Sequence, residues 1–284
     1  MTENHEKPPS VHIIGSIRKD PTQLGQVASV LVDKTRDACI LTTTDTEMTG
    51  EPYDEDSIKV YARQEVGDGN TLPLAEELTA PLIIASTGVD IEQYEDASQP
   101  VINAENLAPE IWQKLQKLKN IMEYYPKAEV MCIEVHQEQK GFKSIPGTAK
   151  EGMMMATRKD AETLLAGRVQ IESLEEWEKF LANKAKNPEQ YYGKIISVRS
   201  NEVSASAFDV PAKYFSEGHG IHQFLIFEDN ELKGNVKTRI LGREPYGEGL
   251  VALLNALHDS PEEFKNGVTH IRKFVENEVL EAIK

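Results

Sequence analysis

For its first hundred residues the chain alternates short apolar runs with helix-type segments. No other feature constrains its fold as much. Val11–Ile14, Ala38–Thr42, Ile58–Tyr61 and Leu82–Ala85 read as strands, and Thr22–Val32 and Leu72–Leu78 read as helices between them. Such alternation predicts a parallel sheet with crossover helices. The pattern then changes. Ile111, Leu115, Leu118 and Met122 form a helical stripe ahead of a strand at Val130–Val135. Ser173-Leu-Glu-Glu176 is a capping box opening a helix whose apolar face is Leu174, Trp177, Phe180 and Leu181. Ile195–Arg199, Phe224–Phe227 and Val236–Leu241 read as longer strands with a turn at Glu228–Asn230, an antiparallel signature. A last helix is expected from Ser260-Pro261-Glu-Glu263, with Val268, Ile271, Phe274, Val275 and Leu280 along one side.

The strand at Val130–Val135 delivers His136 at its C-terminal end, where sites of α/β proteins usually lie. The segment reads Glu134-Val-His136-Gln-Glu-Gln-Lys140, and Pro146-Gly147-Thr148-Ala149 follows closely. His136 can donate a proton near neutral pH, and Lys140 can supply fixed positive charge or a second proton. A Pro-Gly-Thr turn can present adjacent amides and a hydroxyl to a carboxylate. Together these suit a small dianionic substrate that is protonated as something else is added to it. The spacing alone equally fits a surface strand end with a polar turn.

The segment also resembles the substrate motif E-x-H-H-x-x-K-x-D-x-P-S-G-T-A of the dihydrodipicolinate reductases, NAD(P)H enzymes of lysine and diaminopimelate biosynthesis. Glu134, His136, Lys140, Gly147, Thr148 and Ala149 match. Gln137 stands where the family has its second histidine. One extra residue lies between Lys140 and Gly147, the Asp is missing, and Pro146 replaces the Ser. Three further blocks follow in family order. Pro81-Leu-Ile-Ile-Ala-Ser86-Thr87-Gly88 resembles P-x-V-I-G-T-T-G, on the nicotinamide side. Asn103-Ala-Glu-Asn106-Leu-Ala resembles A-P-N-F-S at the domain junction. Gly242-Arg243-Glu-Pro-Tyr246-Gly-Glu-Gly249 resembles S-R-x-x-F-A-x-G-A, where the family's chain returns to its nucleotide domain. The resemblance implies His136 as proton donor, Lys140 as second donor or charge partner, and Gly147 and Thr148, with Gln137 beside them, as the substrate clamp. It implies NADPH or NADH as cofactor, a small cyclic dicarboxylate as substrate and a homotetramer as the assembly. With the change of pattern, it also implies an α/β fold in two parts. One is a discontinuous Rossmann-like nucleotide domain, residues 1–108 and 245–284. The other is an α+β domain at 109–244 with an open mixed or antiparallel sheet.

The cofactor loop departs from the family, whose first strand leads into G-x-x-G-R-M-G. Here Gly15 follows the first strand, but the next glycine is Gly25. Asp20-Pro21-Thr22-Gln23 reads as an ordinary helix start, and an N-cap carboxylate at Asp20 occupies the amides a pyrophosphate would use. Arg18 and Lys19 either meet phosphates from the longer loop or stay solvated. Asp45, after the second strand, is the candidate to read the ribose. With Gly15, Ser86, Thr87, Gly88, Asn106, Arg243 and Tyr246, these complete the expected cofactor contacts.

Composition narrows the classes. Lys+Arg number 31 against Asp+Glu 47, a formal charge of −16 over 284 residues. That acidity disfavours nucleic acid or an anionic membrane as partner. No apolar run approaches a membrane span, and the polar first ten residues lack a signal peptide's apolar core, so a cytoplasmic protein is expected. Cys39 and Cys132 sit in apolar runs and read as buried free thiols. His219-Gly-Ile-His222 has the spacing of a metal pair but no third ligand at ligand spacing, so no metal is expected. Met153–Met155 reads as core packing. Three functions remain open: a dihydrodipicolinate-type reductase, a related reductase with a shifted substrate, and a non-enzymatic relative that binds a metabolite or partner.

Overall fold

The computed structural model describes residues 74–85, 89–104, 106–143 and 145–271, together with the strand residues 10–14, 40–43 and 58–61. The chain divides into two compact units, Met1–Pro109 with Arg243–Lys284, and Glu110–Gly242.

The first unit carries a six-stranded sheet. Its strands are β1 (Ser10–Ile14), β2 (Ile40–Thr43), β3 (Ile58–Tyr61), β4 (Leu82–Ile84), β5 (Pro100–Asn103) and β11 (Gly267–His270), in the order β11-β5-β4-β3-β1-β2. Every pairing is parallel. Leu82, Ile83 and Ile84 are all fully buried, the uninterrupted apolar run of a strand covered on both faces. The order reverses at β1, so the crevice at the carboxyl ends of β1 and β3 is the switch point where doubly wound sheets bind ligands. A helix, α7 (Glu244–Asp259), returns the chain to this unit. Gly249 lets it approach the chain closely, since a Cβ there would sit 1.6 Å from the Leu107 carbonyl oxygen.

The second unit is built on a five-stranded mixed sheet, order β10-β9-β6-β8-β7. Its strands are β6 (Glu129–His136), β7 (Val169–Ile171), β8 (Ile195–Val198), β9 (His219–Glu228) and β10 (Glu231–Leu241). Its helices are α1 (Pro109–Tyr124), α2 (Gly147–Thr157), α3 (Ala161–Ala166), α4 (Leu174–Lys186), α5 (Asn201–Phe208) and α6 (Tyr214–Glu217). Alternation along each strand sorts residues between two faces. Met131, Ile133 and Val135 of β6, with Ile196, Val198, Ile221 and Leu225, pack against Trp177 and Phe180 of α4 and Phe208 of α5. Phe224 lies on the opposite face, under α2, where Gly152 leaves room for its ring and for Leu115 of α1. The β9–β10 turn places Asp229 and Asn230 at φ 53 and 62, the left-handed pair of a tight hairpin turn.

Several expectations need correction. Leu72–Leu78 contributes only a 3₁₀ turn at Ala75–Glu77 among its described residues. Among the described residues the expected last helix is a 3₁₀ turn at Pro261–Glu263 followed by β11, so Val268 lies on a strand. Tertiary pairing with β5 overrides the local capping signal there. β8 is parallel to both neighbours, not part of an antiparallel set. Met153 is buried, but Met154 and Met155 are exposed, as is Leu181. β5, β7 and β11 were not legible in the sequence. The helix expected at Thr22–Val32, Cys39, and the stripe positions Phe274, Val275 and Leu280 lie outside the described residues.

Candidate functional site

One row of polar side chains crosses the apolar second sheet. Thr238 on β10 pairs with His222 on β9, His222 with Glu134 on β6, and Glu134 with Ser197 on β8. All four are buried. They share the face that carries Cys132 and Phe224, and His136 continues it two residues beyond Glu134. Buried polar groups need partners, and the partners of this row come from its neighbours in the sheet and from the loop that follows β8.

Arg199, just past β8, answers Glu134. Its Nη2 and Nη1 donate to the two carboxylate oxygens at 2.8 and 3.1 Å, with both side chains almost wholly buried. The same guanidinium donates from Nε to the Gly141 carbonyl at 2.7 Å and lies over the Phe142 ring. Arg168 stacks on that ring too and donates to the Phe142 carbonyl. Glu138 accepts from the Asn201 amide at 2.9 Å. The short turn Glu138–Lys140 is therefore held on both sides, and Lys140 with it.

His136 is buried at the end of β6. Its Nδ1 lies 2.7 Å from the His219 carbonyl, which only accepts, so Nδ1 carries the proton. Nε2 faces Glu134 Oε2 at 3.5 Å without a hydrogen bond. Gly220 makes room, because a Cβ there would come within 2.9 Å of the ring. Burial pushes the His136 pKa well below its ordinary value, and the charges of Lys140, His222 and Arg199 push the same way. A ring shifted in this direction is neutral at pH 7. His222 stacks edge-on at 5.3 Å, its Nδ1 3.1 Å from Thr238 Oγ. Burial, then Lys140 and Arg199, bring its pKa down to about 3. His219 falls on the other face, between Ser204 Oγ and the Tyr214 carbonyl, and burial lowers its pKa too. Residues three apart on a strand point to opposite sides, so His219 and His222 cannot chelate one ion together. The ligand atoms that do converge are those of Glu134, His136 and His222, all within 4.8 Å of one another.

Gln137 is buried and accepts from the His219 amide at 3.4 Å. Gly147 and Thr148 form not a turn but the first turn of α2, with Pro146 at the N-cap and no side-chain cap. The first helical bond is Lys150 N–H to Pro146 C=O at 2.9 Å, so the earlier amides lack intrahelical partners. The positive end of such a helix suits a carboxylate. The sequence had singled out His136, Lys140, Gln137, Gly147 and Thr148, and all lie in this unit. It missed Arg199, and it named His222 only as half of a metal pair with His219; both reach Glu134 only through sheet register.

Of the expected cofactor residues, Gly15, Arg18, Lys19, Asp45, Ser86, Thr87 and Gly88 lie outside the described residues. Asn106 is buried in the first unit. Arg243 and Tyr246 open α7 there. Burial raises the Tyr246 pKa against the pull of Arg243, and Arg243 Nε is buried without a partner among the described residues. A parallel sheet with a switch point and a buried arginine donor fits a dinucleotide.

The fold and site define a two-unit α/β protein, with a Rossmann-like parallel sheet and a mixed sheet that carries the polar row. Its fold is that of dihydrodipicolinate reductase. A dipicolinate-bound dihydrodipicolinate reductase from Paenisporosarcina sp. TG-14 matches with a TM-score of 0.54 and 16% identity, over 93% of this chain and 97% of that one. A DAP dehydrogenase of C. glutamicum in complex with DAP matches at a TM-score of 0.47 and 13% identity, over 94% of each chain. No protein-family model and no curated protein matches the sequence. No described helix is long and apolar enough to cross a membrane.

Proposed function

We propose that the protein is an NAD(P)H-dependent reductase acting on a small cyclic dicarboxylate of the dihydrodipicolinate type. The observation that carries this reading is the end of β6. There a buried His136 adjoins the clamped Lys140 turn, and the helix start at Gly147–Thr148 follows on the helix packed against that strand. The shared fold supports it, and the solved reductase of that fold holds dipicolinate. Lys140 and the first amides of α2 hold the two carboxylates, with Gln137 beside them. Their charge offsets the cations that add to burial in keeping His136 neutral, so Nε2 can take up a proton and pass it to the ring atom next to the one reduced. NADPH or NADH, when bound, supplies the hydride. The residues that would hold it are Arg243, Tyr246, Asn106, Ser86, Thr87 and Gly88, with Gly15, Arg18, Lys19 and Asp45 at the phosphate and ribose end. The two-part domain division and a homotetramer formed through the second unit belong to the same proposal, the latter read by light scattering.

The test is loss of nicotinamide absorbance with purified protein, a dihydrodipicolinate-type substrate and each dinucleotide. Substrate-dependent oxidation is expected. It should fall on the order of 100- to 10,000-fold in His136→Ala or Lys140→Ala with the fold intact. No oxidation with either dinucleotide, or full activity in either variant, would sink the proposal.

A further inference from the structure

Of the buried polar row, the reductase reading uses only His136. Both imidazoles beside Glu134 have Nδ1 engaged, on the His219 carbonyl and on Thr238 Oγ. Both Nε2 atoms are buried without a hydrogen-bond partner among the described residues. They converge with the Glu134 carboxylate inside 4.8 Å.

We propose that Glu134, His136 and His222 form a zinc-binding site of two imidazoles and one carboxylate. A tetrahedral zinc ion with bonds of about 2.0–2.2 Å holds its ligand atoms roughly 3.4 Å apart. The Nε2 of His136 already stands 3.5 Å from Glu134 Oε2. Small side-chain rotations bring in His222. The His136 contact has the form that ligating histidines take, Nδ1–H donating to a carbonyl, which fixes the tautomer and turns Nε2 to the metal, and the Thr238 hydroxyl can accept from His222 Nδ1 in the same way. Arg199 donates to both carboxylate oxygens, yet each oxygen has a second lone pair. The charges of Arg199 and Lys140 oppose a dication, so the site is reversible rather than structural. Three protein ligands leave one position open.

Zinc titrated against a chromophoric chelator, with the purified full chain, gives the test. One Zn²⁺ per chain is expected, weakened at least about tenfold in both His222→Gln and Glu134→Gln. No binding at about 100 µM zinc, or binding that both variants keep, overturns the site. If a variant does not fold, Co²⁺ on the unaltered protein decides. An intense four-coordinate visible spectrum supports the site, and the spectrum of aqueous cobalt overturns it. A final arm rests on the reductase reading: zinc on His136 Nε2 should lower turnover in step with occupancy. The binding arms need no activity, so failure of the site and failure of that reading are read separately.

Discussion

Glu134 and Arg199 show what a single residue costs when its partner is removed. Both are buried, and each oxygen of the carboxylate is met by a guanidinium nitrogen. Arg199→Met leaves an unpaired buried carboxylate, which costs on the order of 3–5 kcal/mol. Removing both charges in Glu134→Leu/Arg199→Met should recover most of that loss in urea unfolding. A double variant no more stable than the single one would mean that the cost lies in lost packing and not in the stranded charge. Gly220→Ala is the sharper probe of the site. The added methyl meets the His136 ring at 2.9 Å and must turn Nε2 away. Turnover should fall at least about tenfold with little change in melting temperature, since a small displacement of a catalytic group costs far more in rate than in stability. Unchanged turnover would show that the ring has room to move. At this scale the sequence displayed the strand-end histidine and Lys140, because both sit in one short segment. It hid Arg199 and the place of His222, because only the pairing of β6 with β8 and β9 puts them beside Glu134.

Among the elements, legibility followed the strength of local signals. The helix α4 was readable because Ser173 caps it, accepting from the Glu176 amide, and because Trp177 and Phe180 recur on its buried side. Glu176 reaches back to the Glu172 amide, one residue beyond the usual box. Ser173→Ala should lower stability by about 1 kcal/mol in denaturant unfolding, and no change would mean that tertiary packing alone holds this helix. The strands β5, β7 and β11 hold at most two large apolar residues each, beside Pro, Asn, Gln, Gly or His. Segments so sparse in apolar residues carry no readable strand signal, and the sheet specifies them rather than their own residues. The β11 segment went further and imitated a helix, until Gly267 at φ 79 turned the chain into the strand. In α7 the reverse holds: Gly249 is weak helix material, kept because the Leu107 carbonyl lies against it. Gly249→Ala should destabilise by more than about 1–3 kcal/mol, since backbone rather than a yielding side chain is in the way. A melting temperature within a degree of the parent would contradict that packing.

At the scale of the whole molecule the two sheets differ in kind: one wholly parallel, the other mixed with a polar row through it. The alternation of the first hundred residues displayed the former, and the later change of pattern displayed that something else followed. If the parallel unit holds a dinucleotide, NADPH or NADH at a hundred times its dissociation constant should add about 2.7 kcal/mol of stability. A thermal shift would read it without any substrate. Absence of a shift with either dinucleotide would favour the non-enzymatic reading over the reductase. The order of strands has one more consequence, for synthesis on the ribosome. β11 is the sixth strand of a sheet whose other five precede Pro109, and it pairs directly with β5. Until residue 267 has been made, β5 is an open edge of unpaired amides and carbonyls. The whole of the second unit is translated in that interval. A nascent chain stalled there exposes a sticky border that the finished protein never shows, so chaperone demand during translation should peak before the last strand emerges and vanish once it docks.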